Sequence, residues 1–424
     1  MSLQGPMIVV ADKPAPDLIE ALGAAGASPV VESRWPQAPE AFVAVQPSAI
    51  VIAEPGPASD LKAAQTLGLQ VRTRNGPFIP LIARARTGSN LAIPGGLPID
   101  AEASAARLIA RLRTALRVRS LHATVLRRAE TFKAHGGHVM PILPESDPAE
   151  DATVLVSGRG RSYPALAVAV GERVGLIGAL SVETAARYLN AREIDGVVIG
   201  DGFSPKVVQA LLTVLAEDAR FRDLPVAVAN GDPGLIADFG AQLVNLERVD
   251  GNPEIIAERM LPLVRLHAFG ARLKRILKAL DSEGVIDPQT GLLTRAAFWR
   301  ELSRALKEAG QRGVNLSLAR FGFGPVVDER AGRDTARLVS KTVRNIDFAC
   351  QGDDGSILCV FTGTNLQAGH VIARRIATVL KHTMLTSDEG RPKLEINITL
   401  GALKPSDTIA SLLSRVGAAA FAIN

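Results

Sequence analysis

Cysteine, aromatic residues and long apolar runs are all scarce in this sequence. Only two of 424 residues are cysteine, and Phe, Trp and Tyr together make up 4%. Two cysteines exclude a disulfide framework, and both, Cys350 and Cys359, lie in apolar segments where we expect them to be buried. No run reaches the roughly 18 apolar residues of a membrane span, and no basic, apolar leader begins the chain. We therefore expect a cytoplasmic protein without a membrane span.

Charge is modest in amount and only slightly biased in sign. Charged residues make up 21% of the chain and hydrophobic residues 47%, a balance typical of globular protein. The net charge of +5 and the isoelectric point near 9.4 suit anionic ligands or partners, although solvated, arginine-rich helix faces give the same values. The sequence contains no dense basic stripe, so we expect no DNA partner.

The pattern of strands and helices divides the chain into three domains. A chain of 424 residues exceeds the size at which a single core stops growing. Short aliphatic strands alternate with amphipathic helices over residues 7–134 and again over 153–280, which predicts two parallel sheets with helices on both faces. Residues 135–152 mix Gly, Pro and acidic residues without periodicity and predict a linker. The third domain is expected over 281–424.

Within the two repeated segments, local patterns predict two helices and a strand with definite bounds. Leucines near helical spacing predict a helix over residues 101–119. A short aliphatic run predicts a strand over 243–246. A long helix is expected over 253–280, with a kink or break at Pro262, because proline removes a backbone donor and crowds the preceding turn.

The third domain contains a predicted β-hairpin preceded by an Arg-x-x-Asp tetrad. Arg344 and Asp347 form the tetrad, and the apolar runs FAC and ILCVF flank the acidic, Gly-rich turn 352–355. This arrangement resembles the GGDEF family of diguanylate cyclases, in which the tetrad is an inhibitory site that binds cyclic di-GMP. The five positions of the family's signature turn are occupied, in order, by Asp353, Asp354, Gly355, Ser356 and Ile357.

Further motifs extend this resemblance over residues 281–424. The segment from Asp287 to Phe298 resembles the family's opening D-x-L-T-G-L-x-N-R-x-x-F, and Thr399 to Gly401 resembles its late S-I-G strand. The segment from Arg415 to Phe421 resembles the closing R-A-D-x-A-L-Y helix. The resemblance implies a nucleotidyl-cyclase-like α+β fold for this domain.

The elements that the family uses for catalysis are absent from this sequence. The first strand, 316–323, has no carboxylate to hold Mg²⁺, the turn lacks its glycine pair, and Asn424 stands where the family has a phosphate-binding lysine. Asp353 and Asp354 are candidate metal ligands, but adjacent acids in a tight turn are usually solvated turn residues. We therefore expect no catalytic residues, no metal, no required cofactor and no diguanylate cyclase activity.

The two repeated segments resemble response-regulator receiver domains, which implies two flavodoxin-like (βα)5 folds. Receiver phosphorylation needs an acidic pair for Mg²⁺, an acceptor Asp, a Thr or Ser and a Lys. The first segment has Ala53 at the acceptor position, and the second has Ser157 and Gly158 in place of the acidic pair. Asp201, four residues before Pro205, could still accept phosphate, but without metal ligands we do not expect it to. Receiver, receiver, GGDEF is the layout of PleD-type response regulators.

The tetrad keeps the groups that the resemblance assigns to cyclic di-GMP binding. An arginine can donate two hydrogen bonds to guanine O6 and N7, and a carboxylate can accept from N1 and N2. Arg375 aligns with a second ligand-binding arginine of the family, and Arg374 is adjacent to it. The alternative is an exposed ion pair between residues i and i+3, typically under ~1 kcal/mol. Arg-x-x-Asp also occurs at residues 192–195 and 220–223.

The leading hypothesis is therefore a catalytically inactive effector that binds cyclic di-GMP and couples it to protein localisation or docking. A narrower resemblance to PopA-like effectors implies protein partners of a signalling or proteolysis-adaptor pathway and recruitment to a cell pole. The receiver-like domains imply a homodimer. One alternative is a docking scaffold that binds no nucleotide, and a second is a residual diguanylate cyclase or GTP sensor.

Overall fold

A computed structural model describes most of the 424-residue chain, namely residues 3, 5–53, 61–85, 93, 95–134, 152–281, 285–287, 290–324, 329–384 and 395–418. The predicted linker 135–152 lies outside these residues except for Ala152. Across the described ranges, every helix is too short or too polar to cross a bilayer.

The chain separates into two compact units. One contains Met1–His122 and Leu143–Lys274, and the other contains Ala123–Ile142 and Arg275–Asn424. Two of the three division points fall inside long helices, α4 (Ala105–Ala134) and α9 (Pro253–Leu280), and the third, between residues 142 and 143, lies outside the described residues. The two helices end at residues 134 and 280.

The first unit contains two five-stranded parallel sheets. The first sheet is built from β1 (Met7–Val10), β2 (Val30–Ser33), β3 (Ala49–Ile52), β4 (Leu81–Ala85) and β5 (Leu97–Asp100). Its order, β2-β1-β3-β4-β5, is the flavodoxin-like doubly wound order. Besides α4, its helices are α1 (Pro16–Ala24), α2 (Ala38–Val45) and α3 (Leu61–Thr73).

The second sheet repeats this order in β7-β6-β8-β9-β10. Its strands are β6 (Thr153–Ser157), β7 (Gly175–Ala179), β8 (Gly196–Ile199), β9 (Val226–Ala229) and β10 (Leu246–Val249). Besides α9, its helices are α5 (Tyr163–Gly171), α6 (Val182–Ala191), α7 (Pro205–Glu217) and α8 (Gly234–Phe239). Four of the central strands, β1, β3, β8 and β9, are entirely apolar and buried, as expected of parallel strands that are covered on both faces.

The structure corrects three local predictions. The strand predicted over 243–246 begins at Leu246 instead, and Leu243 and Val244 are buried in the preceding loop. The helix predicted over 101–119 runs to Ala134 as part of α4. Helix α9 is not broken at Pro262, since buried residues on both sides of the proline, Met260 and Leu263 among them, hold the helix together.

A buried ion cluster links β5, β10, α4 and α9 within the first unit. Glu247 on β10 pairs with Arg107 and Arg111 of α4 and with Arg259 of α9, and it lies 2.6 Å from Arg111. Arg111 also donates to the carbonyl oxygens of Pro98 on β5 and Val244 before β10. A single carboxylate is thus shared by three largely buried guanidinium groups and offsets part of the cost of burying their charges.

The second unit contains a four-stranded antiparallel sheet of order β12-β13-β11-β14. Its strands are β11 (Leu316–Phe323), β12 (Phe348–Gln351), β13 (Ile357–Thr362) and β14 (Ile396–Ala402). The helices are α10 (Arg295–Arg312), α11 (Glu329–Thr342), α12 (Leu366–Met384) and α13 (Ile409–Arg415). This mixture of helices with an antiparallel sheet is the α+β architecture expected for the third domain.

Candidate ligand-binding site

The predicted hairpin is present and ends in a tight turn. Strands β12 and β13 pair antiparallel from Phe348↔Val360 to Gln351↔Ile357. Gly352 N donates to the carbonyl oxygen of Ser356 at 2.8 Å, and Gly355 N donates to that of Gly352 at 3.0 Å. Gly355 has a φ of +74°, in the left-handed region that glycine enters without a steric penalty. The turn therefore requires a glycine at this position.

An arginine on the neighbouring strand occupies the space beside the turn. Arg320, on β11, donates from Nη2 to Asp354 Oδ2 at 2.8 Å and from Nε to Ser356 Oγ at 3.2 Å. Ser356 donates from its backbone N and its hydroxyl to Asp354 Oδ1, at 3.0 and 2.6 Å. The pKa of Asp354 is lowered: desolvation raises it, but the hydrogen bonds from Ser356 and Arg320 together outweigh desolvation. Asp354 is thus held ionised by an internal cation.

The other carboxylate of the turn also faces an arginine. Asp353 is exposed and pairs with Arg295 at the start of α10. Among the described residues, no group of three or more His, Cys, Asp or Glu side chains could hold a metal ion. A divalent cation at this turn would lie close to two guanidinium groups, which repel it.

The tetrad forms the turn that leads from α11 into β12. Asp347 N donates to the Arg344 carbonyl oxygen at 3.0 Å, so the turn places the two side chains next to each other as predicted. Arg344 Nε lies 3.9 Å from Asp347 Oδ2, which is too long for a hydrogen bond. The Arg344 side chain is 36% exposed, whereas that of Asp347 is 0% exposed. The pair is therefore a loose contact between a half-exposed cation and a buried carboxylate.

The two oxygens of Asp347 have different surroundings. Oδ1 accepts a hydrogen bond from Thr362 N at 2.9 Å and lies 3.4 Å from Thr362 Oγ1, at the end of β13. Oδ2 is buried and has no hydrogen-bond partner. Burial raises the pKa of Asp347 to about 7, against the opposing effects of Arg344, Thr362 and Arg127. Asp347 is therefore a buried carboxyl group with one oxygen bound to Thr362 and the other without a hydrogen-bond partner.

The two arginines predicted from the family alignment lie on α12. Arg374 and Arg375 are both exposed, and the neighbouring Ile372, Ala373 and Ile376 pack into the core. Within the part of the chain that the structure describes, neither guanidinium has a hydrogen bond or an ion pair. Both are free to meet an anion, such as a phosphate, from solvent.

Asp201 is the residue that the resemblance to receiver domains identifies as a possible phosphoacceptor. It follows β8 at the switch point between β6 and β8, the crevice in which ligands bind in flavodoxin-like folds. Its carboxylate accepts hydrogen bonds from the Ser162 hydroxyl and lies against Gly160, and its carbonyl oxygen accepts from Arg159 N at 3.2 Å. Ser157 is buried at the neighbouring strand end, so the described residues supply no second carboxylate for a metal here.

Sequence reasoning missed the residues that surround the turn and the tetrad. Arg320 is a charged residue in the otherwise apolar strand LSLARFGF, a signal that a search for carboxylates alone overlooked. Thr362 and Arg127 are distant from Asp347 in sequence, so only the fold reveals them. The expected burial of Cys350 and Cys359 is confirmed. Asn424, aligned with the family's lysine, lies outside the described residues.

Comparison with known proteins identifies structural neighbours alone. No family model matches this chain, and no curated protein matches it. The coiled coil and GGDEF domain of DgcB from Caulobacter crescentus, in complex with c-di-GMP, is 20% identical, with 35% of this chain and 84% of that chain covered and a TM-score of 0.30. Diguanylate cyclase SiaD from Pseudomonas aeruginosa, in complex with its activator SiaC, is 22% identical, with 35% and 62% covered and a TM-score of 0.28. The FimX GGDEF domain from the same organism is 17% identical, with 32% and 91% covered and a TM-score of 0.27.

Proposed function

We propose that this chain is a receptor for cyclic di-GMP whose third domain is a GGDEF domain without cyclase activity. The observation that carries the proposal is the buried oxygen Oδ2 of Asp347, which has no hydrogen-bond partner and lies 3.9 Å from Arg344. A buried acceptor without a donor costs about 1–3 kcal/mol. Guanine N1–H or N2–H₂ would supply the donor, while the half-exposed Arg344 offers its own donors to guanine O6 and N7.

Binding then requires Arg344 to move off the carboxylate. The Nε–Oδ2 contact is loose, so little attraction is lost when the guanidinium swings outward. Thr362 keeps Oδ1 in place during this movement. The exposed Arg374 and Arg375, on helix α12, are the candidates for binding the phosphates of the dinucleotide.

The loss of catalysis follows from the ion pairs at the turn. Cyclases need carboxylates free to hold Mg²⁺, which neutralises the reacting phosphates. In this chain Arg295 and Arg320 already occupy Asp353 and Asp354. We propose that ligand binding instead changes a docking surface for a protein partner of a localisation or proteolysis pathway, with receiver-like domains that need no phosphate.

The test is isothermal titration with cyclic di-GMP. Removing a charged hydrogen-bonding group costs about 1.5–3 kcal/mol, so Arg344→Ala should weaken binding by roughly 10- to 150-fold. Arg220→Ala is the matched control, because Arg220 also begins an Arg-x-x-Asp sequence but is exposed and paired with Asp218. Its affinity should equal that of the wild type. Equal binding by wild type and Arg344→Ala would contradict the assignment of the site.

A second function, a docking scaffold without nucleotide, is favoured by the complete burial of Asp347. In that case the carboxylate only ties the tetrad to Thr362 and thereby closes the hairpin. The scaffold predicts no heat at millimolar dinucleotide, with Arg344→Ala no different from wild type. Product formed from GTP and Mg²⁺ in the same preparation would instead favour residual cyclase activity.

A further inference from the structure

Strand β7 is an open edge of the second parallel sheet. It pairs with β6 on one side, and no other described strand pairs with it. Its sequence, GLIGA, contains no charge and no proline, and the next residue is leucine. Leu176 and Leu180 are 38% and 61% exposed, and Val168 on the adjacent α5 is 58% exposed. An uncharged, apolar edge of this kind is a template for pairing with another strand.

The other edges of the two parallel sheets are protected. Strand β2 carries Glu32, β5 carries Pro98 and Asp100, and β10 carries Glu247 and Arg248. The β5 and β10 edges are also occupied by Arg111, which donates to the carbonyl oxygens of Pro98 and Val244. Charges and proline are the usual means of blocking an edge. Of the described edges in this unit, β7 alone lacks them.

The register of β7 fixes which backbone groups face outward. Gly175 N donates to Ala152 O and Ala179 O accepts from Gly158 N, so odd-numbered residues point toward β6. In a parallel ladder alternate residues bond to opposite sides, so Leu176 and Gly178 present their N–H and C=O groups outward. The N–H of Leu180, the residue after the strand, also points outward, because the Ala179 carbonyl before it points toward β6. The side chains of Leu176 and Leu180 also lie on one face of the sheet.

This arrangement is self-complementary. When a two-fold axis relates two copies, their β7 edge strands pair antiparallel. With the axis at Gly178, Leu176 of each copy lies opposite Leu180 of the other, so the interface contains two equivalent leucine pairs. The strand is uncharged, so self-pairing opposes no like charges. Opposed leucine side chains bury apolar surface against each other. Gly178 at the axis has no side chain, and the hydroxyl of Tyr163 on α5 lies where a Cβ at this position would be.

We infer that a second copy of this chain docks on β7, pairing the two β7 strands antiparallel about Gly178 into one ten-stranded sheet. The dimer therefore uses the outer edge of the second sheet, while the β5 and β10 edges are engaged within each chain. The inference holds whether or not cyclic di-GMP binds, because it involves no residue of the tetrad.

The oligomeric state of the full-length protein tests this inference. Sedimentation velocity over a range of concentrations should show a monomer–dimer equilibrium for the wild type. Leu176→Lys with Leu180→Lys places lysines opposite each other and should weaken dimerisation at least about tenfold. Leu176→Lys with Leu180→Glu places Lys opposite Glu and should restore it. Val214→Lys, an exposed position on α7, is the control and should behave as the wild type.

Disulfide trapping tests the register. A mixture of Leu176→Cys and Leu180→Cys chains should cross-link on oxidation, since opposed residues have Cα atoms about 5.5 Å apart. Either variant alone should not, because its cysteines lie four residues out of register, about 13 Å apart. The native cysteines are buried and do not interfere. A wild type that stays monomeric at all concentrations, or a dimer that survives the double lysine change, overturns the inference.

Discussion

Replacing Asp347 by asparagine should remove a pH dependence of stability that the buried carboxylate imposes. The folded-state pKa of Asp347 is raised to about 7, chiefly by burial, and the unfolded value is ~3.9. The folded form therefore holds a proton that the unfolded chain releases above about pH 4. The group lowers stability progressively from about pH 4 to pH 7 and by a constant amount above that.

The size of the effect follows from this shift. A pKa raised by about three units lowers the free energy of unfolding by about 4 kcal/mol well above pH 7. About 2–3 kcal/mol of this loss occurs between pH 5 and pH 8. Asparagine keeps an acceptor for Thr362 N but never ionises. The free energy of unfolding of Asp347→Asn should therefore rise relative to wild type by about 2–3 kcal/mol between these two pH values.

The assay uses the two tryptophans of the chain, Trp35 and Trp299. Trp299 lies on α10 in the unit that contains Asp347, so a Trp35→Phe background leaves one fluorescent reporter for that unit. Urea unfolding at pH 5 and pH 8 is compared with and without Asp347→Asn in this background. Other titrating groups cancel in the difference. Parallel pH responses of the two proteins would refute the argument that burial raises the pKa of Asp347.

Two further predictions concern the first unit. Glu247→Met leaves Arg107, Arg111 and Arg259 buried without their shared carboxylate, so the free energy of unfolding reported by Trp35 in a Trp299→Phe background should fall by about 3–5 kcal/mol. The control Arg248→Ala removes a half-exposed pair with Asp250 and a hydrogen bond to the Gly231 carbonyl oxygen, and it should cost no more than about 1–2 kcal/mol. Equal losses would contradict the cluster's role. Acetyl phosphate with Mg²⁺ should leave the intact mass unchanged, because Ser157 and Gly158 stand where an acidic pair would hold the metal beside Asp201. A phosphoryl adduct that disappears in Asp201→Asn would show this reasoning to be wrong.

Much of the architecture could be predicted because it follows from local patterns. The aliphatic runs at Ala49–Ile52 and Gly196–Ile199 indicate buried parallel strands, and the turn 352–355 between two apolar runs indicates a hairpin. Edge strands were harder to find. Strand β7 contains two glycines in five residues, and its apolar residues do not alternate with polar ones. Its sequence therefore does not identify it as a strand.

The proximity of Arg344 and Asp347 could be predicted from the sequence, but the burial of Asp347 could not. The spacing of Arg344 and Asp347 was enough to place their side chains together, because a turn brings residues i and i+3 close. The sequence could not predict that Asp347 would be buried with one oxygen bound to Thr362, since Thr362 is fifteen residues away along the chain. The same holds for Arg320, whose contact with Asp354 depends on the pairing of β11 with β13.

The sequence by itself determined which residues occupy each motif and where most of the strands and turns lie, because both depend on residue type and short-range spacing. Only the tertiary structure decided which charges meet. Arg320 reaches Asp354, Arg111 reaches Glu247, and Asp347 loses its contact with water, each through packing between segments distant in sequence. The free energy of a charged group depends on its burial and on its partners, and both are set by the fold.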